Sequence, residues 1–177
     1  AEHADKLLIE IDPGTAFGTG KHETTQLCIR QLRKYVTEDT RILDVGCGSG
    51  ILGMLALMFG AKYSVGTDLD PCAIDATYEN MEVNGISKDK YEVMIGNIID
   101  DKEVQDKVGY GCYDIVVANI LADVIIPLSG VIKDNMKPGA LFVSSGIINT
   151  KEDAVREALL SNGFEILEVT HSGDWVA

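Results

Sequence analysis

Short apolar runs alternate with helical segments along the chain from residue 40 onward, and this alternation is typical of a parallel sheet covered by helices. The pattern predicts strands at 42–45, 63–67, 91–95, 114–118, 141–145 and 164–169, with a further short strand at 7–11. It predicts helices at 24–35, 51–59, 71–84 and 150–160, an acidic helical stretch that ends at residue 108, and a helix that contains Pro127. We therefore predict a doubly wound α/β fold in which parallel strands predominate.

The predicted sheet is organised around residues 42–50, which have the sequence ILDVGCGSG. An apolar strand ends at Gly46, and Gly48 and Gly50 follow before an apolar helix begins. Glycines let the backbone approach a ligand closely, and the helix N-terminus offers unpaired N–H groups. A strand, a glycine turn and a helix in this order begin a nucleotide-binding sheet.

The spacing of the glycines distinguishes between nucleotide ligands. A dinucleotide-binding turn has its third glycine at the sixth position, where this chain has Ile51, and the Lys and Ser or Thr of a phosphate-binding loop are absent. Asp68 ends the second predicted strand twenty residues after Gly48, where a carboxylate can accept both hydroxyls of a ribose. Together these features resemble the S-adenosylmethionine-dependent methyltransferases. A tight turn followed by a surface aspartate is the simpler structural alternative.

Two asparagines also end predicted strands, and ligands of such sheets lie outside the carboxyl ends of the strands. Asn97 is placed either to hydrogen-bond an adenine edge or merely to end its strand. Asn119 follows an apolar run, and its amide both donates and accepts, so it could hold an amine nucleophile towards a sulfonium methyl group. We expect Asp70 to cap the helix that follows it and His22 to make a local polar contact at a helix start.

Residues 12–20, DPGTAFGTG, form a glycine-rich loop with Phe17 as an exposed aromatic candidate. The glycines would give such a loop the freedom to close over a ligand. We therefore predict that Phe17 lies in a loop over the cofactor, with a plain hairpin as the alternative.

Composition narrows the classes of partner. The 177 residues fit one domain, and 28 acidic against 15 basic residues give a net charge of −13. This charge disfavours nucleic acid as a partner and suits a basic protein or a cationic small molecule. An acidic surface that serves only solubility explains the charge equally well. The chain has neither eighteen consecutive apolar residues nor a signal peptide, so we expect no membrane partner. Four widely spaced cysteines form no zinc pattern, so we expect no metal and reduced thiols in the cytoplasm.

Four stretches, DPGTAFGTGKHETT, ILDVGCGSGIL, GTDLDPCAI and VANILA, occur in this order. With them the chain from 9 to 175 resembles the ribosomal protein L-eleven methyltransferases, the PrmA family. The resemblance implies a class I, Rossmann-like fold with a mostly parallel seven-stranded sheet, and S-adenosylmethionine as cofactor. It implies lysine and N-terminal amines of ribosomal protein L-eleven as acceptors, and it places cofactor positions at Thr25, Gly46, Asp68, Asn119 and Phe17.

Members of that family carry a separate substrate-recruiting domain, and both ends of this chain look cut. We therefore expect 1–177 to be one catalytic domain, a fragment without the N-terminal recruiting domain. A related methyltransferase that acts on another protein or on a small-molecule amine is the alternative function. A dehydrogenase and a non-catalytic cofactor-binding module are more distant alternatives, and the sequence does not determine the oligomeric state.

Overall fold

The computed structural model describes residues 7–12 and 18–177, and its centre is a five-stranded sheet in which every pairing is parallel. The strands are β1 Arg41–Val45, β2 Tyr63–Asp68, β3 Tyr91–Ile95, β4 Tyr113–Asn119 and β5 Met136–Ser145. Their spatial order is β3-β2-β1-β4-β5, so the direction of winding reverses between β1 and β4. A doubly wound sheet binds ligands at this switch point.

Within the described residues, six α-helices cover the two faces of the sheet: α1 Glu23–Tyr35, α2 Ile51–Met58, α3 Cys72–Val83, α4 Lys102–Val108, α5 Ala122–Ser129 and α6 Glu152–Ser161. Alternate residues of β1 point to opposite faces, as strand geometry requires. Ile42 packs in the cluster that contains α1 and α2, whereas Leu43 and Val45 pack with α4 and α5. The predicted α/β fold is confirmed, and the two layers of helices leave the strand ends open.

A small antiparallel sheet lies beside the main one. It consists of β6 Ile147–Ile148, β7 His171–Ser172 and β8 Trp175–Val176, in the order β6-β8-β7. The pairing of β8 with β6 brings the C-terminal residues next to the segment that follows β5. This contact places Trp175 near the carboxyl ends of the central strands.

The central sheet has five strands rather than seven, and the predicted strand at 164–169 is not formed. Phe164 packs on Phe142 of β5 with 5.5 Å between ring centroids, so the segment follows the edge of the sheet. A cavity lies between this segment and β5, however, and the two backbones do not pair. Apolar alternation alone does not form a strand without a hydrogen-bonded neighbour.

The predicted strand at 7–11 is also absent, although burial alternates along it. Its backbone groups bond to the side-chain amides of Asn80 and Asn84 on α3 instead of to another strand. Two further details differ from prediction. Thr150 lies within a 3₁₀ turn before α6 rather than capping that helix, and the turn predicted at 137–139 is an irregularity within β5.

Candidate functional site

A cavity of about 640 Å³ opens at the carboxyl ends of β1 to β4, beside the switch point of the sheet. Its volume lies within the range of small-molecule sites, which is roughly 300–1,000 Å³. Five of the residues expected to bind a cofactor line it, namely Gly46, Gly48, Asp68, Asn97 and Asn119. The remaining walls are mostly apolar and include Ile98, Ile120 and Leu121. The structure therefore brings polar groups from four strand ends together on one apolar cavity.

The glycine turn needs glycine for two reasons. Gly46, Gly48 and Gly50 have φ angles of 74°, 53° and 80°, a backbone conformation that side chains disfavour. A Cβ atom on Gly46 would also lie 2.6 Å from Cγ2 of Ile120. Since Gly46 and Gly48 line the cavity, the turn presents backbone rather than side chains to a ligand.

The carboxylate of Asp68 fixes the turn and faces the cavity. One oxygen accepts a hydrogen bond from the Gly48 N–H at 2.8 Å, and the other accepts one from the Asp70 N–H at 2.9 Å. A carboxylate has about four acceptor positions, so both oxygens can still accept a hydrogen bond from a ligand hydroxyl. Asp70 in turn accepts a hydrogen bond at 2.9 Å from the N–H of Cys72, the first residue of α3, although Pro71 rather than Asp70 is the N-cap of that helix.

Asn119 contacts Thr25, so the structure joins these two predicted positions directly. The Asn119 side-chain amide donates a hydrogen bond to the Thr25 hydroxyl at 3.2 Å. Thr25 is 1 % exposed and does not line the cavity, whereas its neighbour Thr24 does. Among the residues that the structure describes, the Oδ1 atom of Asn119 accepts no hydrogen bond. This oxygen is therefore available to a ligand.

Asn97 follows the end of β3 and also lines the cavity. Its Oδ1 atom accepts a hydrogen bond from the Ile99 N–H at 3.1 Å, and its backbone carbonyl accepts one from the Asp101 N–H at 2.9 Å, which ends β3 in a tight turn. It also lines the cavity, and its side-chain nitrogen has no hydrogen-bond partner in the described part of the chain. The predicted position of Phe17 lies outside the described residues.

His22 and Trp175 form an aromatic wall of the cavity that the sequence did not predict. Their ring centroids are 5.0 Å apart at an interplanar angle of 69°. The expected local contact of His22 is confirmed, because its Nδ1 atom caps α1 by accepting a hydrogen bond from the Thr24 N–H. Trp175 is the only tryptophan of the sequence, and its rarity is the only feature of the sequence that could have drawn attention to it as a residue of the site.

Asp44 is a buried carboxyl group on β1, two residues before Gly46. It is 1 % exposed and accepts hydrogen bonds from the Gly53 N–H and the Tyr91 hydroxyl, both at 3.3 Å. Burial raises the pKa of Asp44 to about 7, although the two hydrogen bonds oppose this shift. The carboxyl group connects β1 with Gly53 of α2 and Tyr91 of β3, and it does not line the cavity.

A second cavity of about 660 Å³ runs along β5 and residues 163–169. It lies at the side of the sheet rather than at the strand ends, and two of its acids are already paired, Glu152 with Arg156 and Glu168 with Lys34. The described residues contain neither a group of three or more side chains that could hold a metal ion nor a helix able to cross a membrane. We therefore assign the candidate site to the cavity at the strand ends.

Comparisons with known proteins concern the family and the fold of the chain. The family model described as ribosomal protein L11 methyltransferase (PrmA) matches residues 1–177. A curated ribosomal protein L11 methyltransferase of Lachnospira eligens is 60% identical over 170 residues, which cover 96% of this chain and 54% of that protein. The crystal structure of a ribosomal protein L11 methylase from Lactobacillus delbrueckii subsp. bulgaricus has a TM-score of 0.86 and 31% identity, with 97% of this chain and 83% of that chain covered.

A more distant structure shows the fold alone. A TehB-like SAM-dependent methyltransferase from Corynebacterium glutamicum has a TM-score of 0.66 at 17% identity, with 84% of this chain and 83% of that chain covered. The fold is therefore the class I methyltransferase fold, as predicted. The chain spans about half the length of the curated relatives it matches. Since the family model matches its whole length, the chain belongs to the ribosomal protein L11 methyltransferase (PrmA) family.

Proposed function

We propose that this chain is a single methyltransferase domain that binds S-adenosylmethionine in the cavity at the strand ends and methylates amines of ribosomal protein L11. The observation that carries the proposal is the convergence of the glycine turn, Asp68 and Asn119 on one cavity. Family membership names the acceptor, and the geometry supplies the groups that such a reaction needs.

The residues present fit the cofactor. Asp68 has acceptor positions for ribose hydroxyls, and the side-chain nitrogen of Asn97 can donate to an adenine edge. Gly46 and Gly48 line the cavity with backbone and without a side chain, which leaves room for the amino-acid part of the ligand. The apolar wall formed by Ile98 and its neighbours suits the faces of a flat heterocyclic ring.

When bound, the cofactor supplies a methyl group on a positively charged sulfur. The Oδ1 atom of Asn119 can accept a hydrogen bond from the attacking amine and so direct its lone pair towards that methyl group. Thr25 holds the amide in place, because it accepts the hydrogen bond from the other end of the same side chain. Alignment of two reactants can lower a barrier by roughly 7–11 kcal/mol, so positioning is the main task of these residues.

The proposed acceptor must arrive as a neutral amine. A free lysine has a pKa of about 10.4, so only a small fraction is neutral at pH 7. We therefore propose that activity rises with pH above 7, without a dedicated base. A net charge of −13 suits a basic acceptor protein, and an acceptor from the ribosome implies a cytoplasmic location.

The test is to incubate the chain with isotopically labelled S-adenosylmethionine and purified ribosomal protein L11, and to map the label by mass spectrometry. The proposal expects label on lysine side chains or on the N-terminal amine, and much less label with the Asp68→Ala variant when the cofactor concentration lies below the raised Kd of that variant. Label on a different amine substrate, with none on the ribosomal protein, would favour the alternative acceptor. Absence of both label and cofactor binding would refute the proposed function.

A further inference from the structure

Asn80 is a buried amide that joins two distant segments of the chain to α3. It is 1 % exposed, and its Oδ1 atom accepts a hydrogen bond from the Asp12 N–H at 2.8 Å. Its Nδ2 atom donates both to the Asp12 carbonyl at 3.0 Å and to the Ser49 carbonyl at 3.1 Å. Since Ser49 belongs to the glycine turn, one side chain connects residues 7–12 with the wall of the cavity.

Asn84 binds the same segment one helical turn further along. Its Oδ1 atom accepts a hydrogen bond from the Glu10 N–H at 2.8 Å, and its Nδ2 atom donates to the Glu10 carbonyl at 2.6 Å. Thus two amides, four residues apart, hold the N–H and C=O groups of alternate residues, as a neighbouring strand would. In the described part of the chain Asn84 makes no hydrogen bond with the glycine turn, so it is a matched control for Asn80.

Ser49 binds the chain on the other side of the loop. It is fully buried, and its hydroxyl donates a hydrogen bond to the Gly18 carbonyl at 2.7 Å. A Cβ atom on Gly18 would lie 2.6 Å from this hydroxyl oxygen, so the contact is close. Asp12 and Gly18 are therefore both held by Ser49, the first through Asn80 and the second directly.

The docked segment also contacts the core through two apolar side chains. Ile9 and Ile11 are half-buried against two of the apolar clusters, whereas Leu7, Leu8 and Glu10 are exposed. Segments with few buried apolar contacts open at a low free-energy cost. The hydrogen bonds that Asn84 and Asn80 make to Glu10 and Asp12 therefore contribute to holding residues 10–12 in place.

We propose that Asn80 and Ser49 are positioning residues that couple the docking of residues 10–12 to cofactor binding at the glycine turn; this inference rests on the proposed cofactor site. A ligand that holds the turn also holds the Ser49 carbonyl, which favours the bonded position of Asn80 and hence of Asp12. Binding and docking then assist each other by the same factor, because coupling between two sites is reciprocal. Neither residue touches the ligand in this account.

The first test compares the affinity for S-adenosylhomocysteine of the unmodified chain, Asn80→Ala and Asn84→Ala by calorimetry. Both variants lose contacts with residues 10–12, but only Asn80→Ala leaves the buried Ser49 carbonyl without its donor. We expect the Kd to rise about five- to tenfold for Asn80→Ala and less than about twofold for Asn84→Ala. Equal changes in the two variants, or an unchanged Kd in folded Asn80→Ala, would overturn the coupling.

The second test follows hydrogen exchange of the Asp12 amide, and its first arm uses the unmodified chain alone. We expect saturating S-adenosylhomocysteine to slow this exchange in the unmodified chain and in Asn84→Ala, but not in Asn80→Ala. A merely structural role of Asn80 would lower the melting temperature without removing this dependence on ligand. Binding with no change in Asp12 exchange refutes the coupling alone, whereas absence of binding to the unmodified chain refutes the cofactor site and the coupling together.

Discussion

The side-chain amide of Asn119 donates a hydrogen bond to the hydroxyl of Thr25 at 3.2 Å, although the two residues are 94 positions apart in the chain. The bond ties the end of β4 to the first turn of α1. Because the Nδ2 atom faces Thr25, the Oδ1 atom points elsewhere and is the atom that can accept a hydrogen bond from an acceptor amine. The contact therefore fixes the orientation of the Asn119 amide, with the nitrogen towards Thr25 and the oxygen away from it.

Replacement of Asn119 by alanine should reduce turnover more than cofactor affinity. We expect kcat to fall by about 10²-fold, since misplacement of a reactant can cost that much, while the Kd for S-adenosylhomocysteine changes less than about threefold. Thr25→Val removes only the hydroxyl that holds the amide and should give a smaller loss of kcat. Steady-state kinetics and calorimetry on the same preparations measure both quantities. A similar loss in kcat and affinity would make Asn119 a cofactor ligand only.

Alanine at Gly46 should be more damaging than alanine at Gly139, although the two glycines have similar φ angles of 74° and 77°. Both substitutions force an alanine into the left-handed region, which costs roughly 1–2 kcal/mol. Only the new methyl group at position 46 meets another side chain, at 2.6 Å from Ile120, whereas nothing lies within 4 Å at position 139. Thermal unfolding should show a larger loss for Gly46→Ala, together with loss of cofactor binding. Equal losses and retained binding would contradict the close packing of the turn.

The buried carboxyl group of Asp44 should make stability depend on pH. Because its folded-state pKa is raised to about 7, the folded chain binds more protons than the unfolded chain between about pH 4 and pH 7. The free energy of unfolding should therefore fall as pH rises through this window, by up to about 1.4 kcal/mol per pH unit. Asp44→Asn removes this titration and leaves the other carboxyl groups unchanged.

Denaturant unfolding of the two proteins from pH 5 to pH 8 measures this effect. The free energy of unfolding of Asp44→Asn, relative to the unmodified chain, should rise with pH and level off above about pH 7. A difference that does not vary with pH would show that the Asp44 carboxyl titrates below this range.

The central strands and their functional ends could be predicted because their signals are local. The apolar run before Gly46 and the acid at Asp68 identify two strand ends without reference to the rest of the chain. A parallel sheet then brings those ends together, and the structure places both on one cavity. The same sheet places Asn119 at this edge. Its hydrogen bond with Thr25 could not be predicted, because the bond depends on where α1 packs.

Features that depend on distant partners could not be predicted. Residues 164–169 and 7–11 both alternate like strands, yet the first has no paired neighbour and the second binds side-chain amides. Trp175 reaches the cavity only because β8 pairs with β6. The role of Asn80 likewise depends on residues 31 and 68 positions away in the chain.

Calorimetric titration of the chain with S-adenosylhomocysteine, repeated with Asp68→Ala, tests most directly whether the cavity at the strand ends is the cofactor site. Asp75→Ala removes one negative charge from an exposed position of α3 and is the matched control. We predict one binding site per chain, a Kd that rises about 10- to 100-fold in Asp68→Ala through loss of charge-assisted hydrogen bonds, and little change in Asp75→Ala. Undiminished affinity in folded Asp68→Ala, or no binding to the unmodified chain, would contradict the assignment.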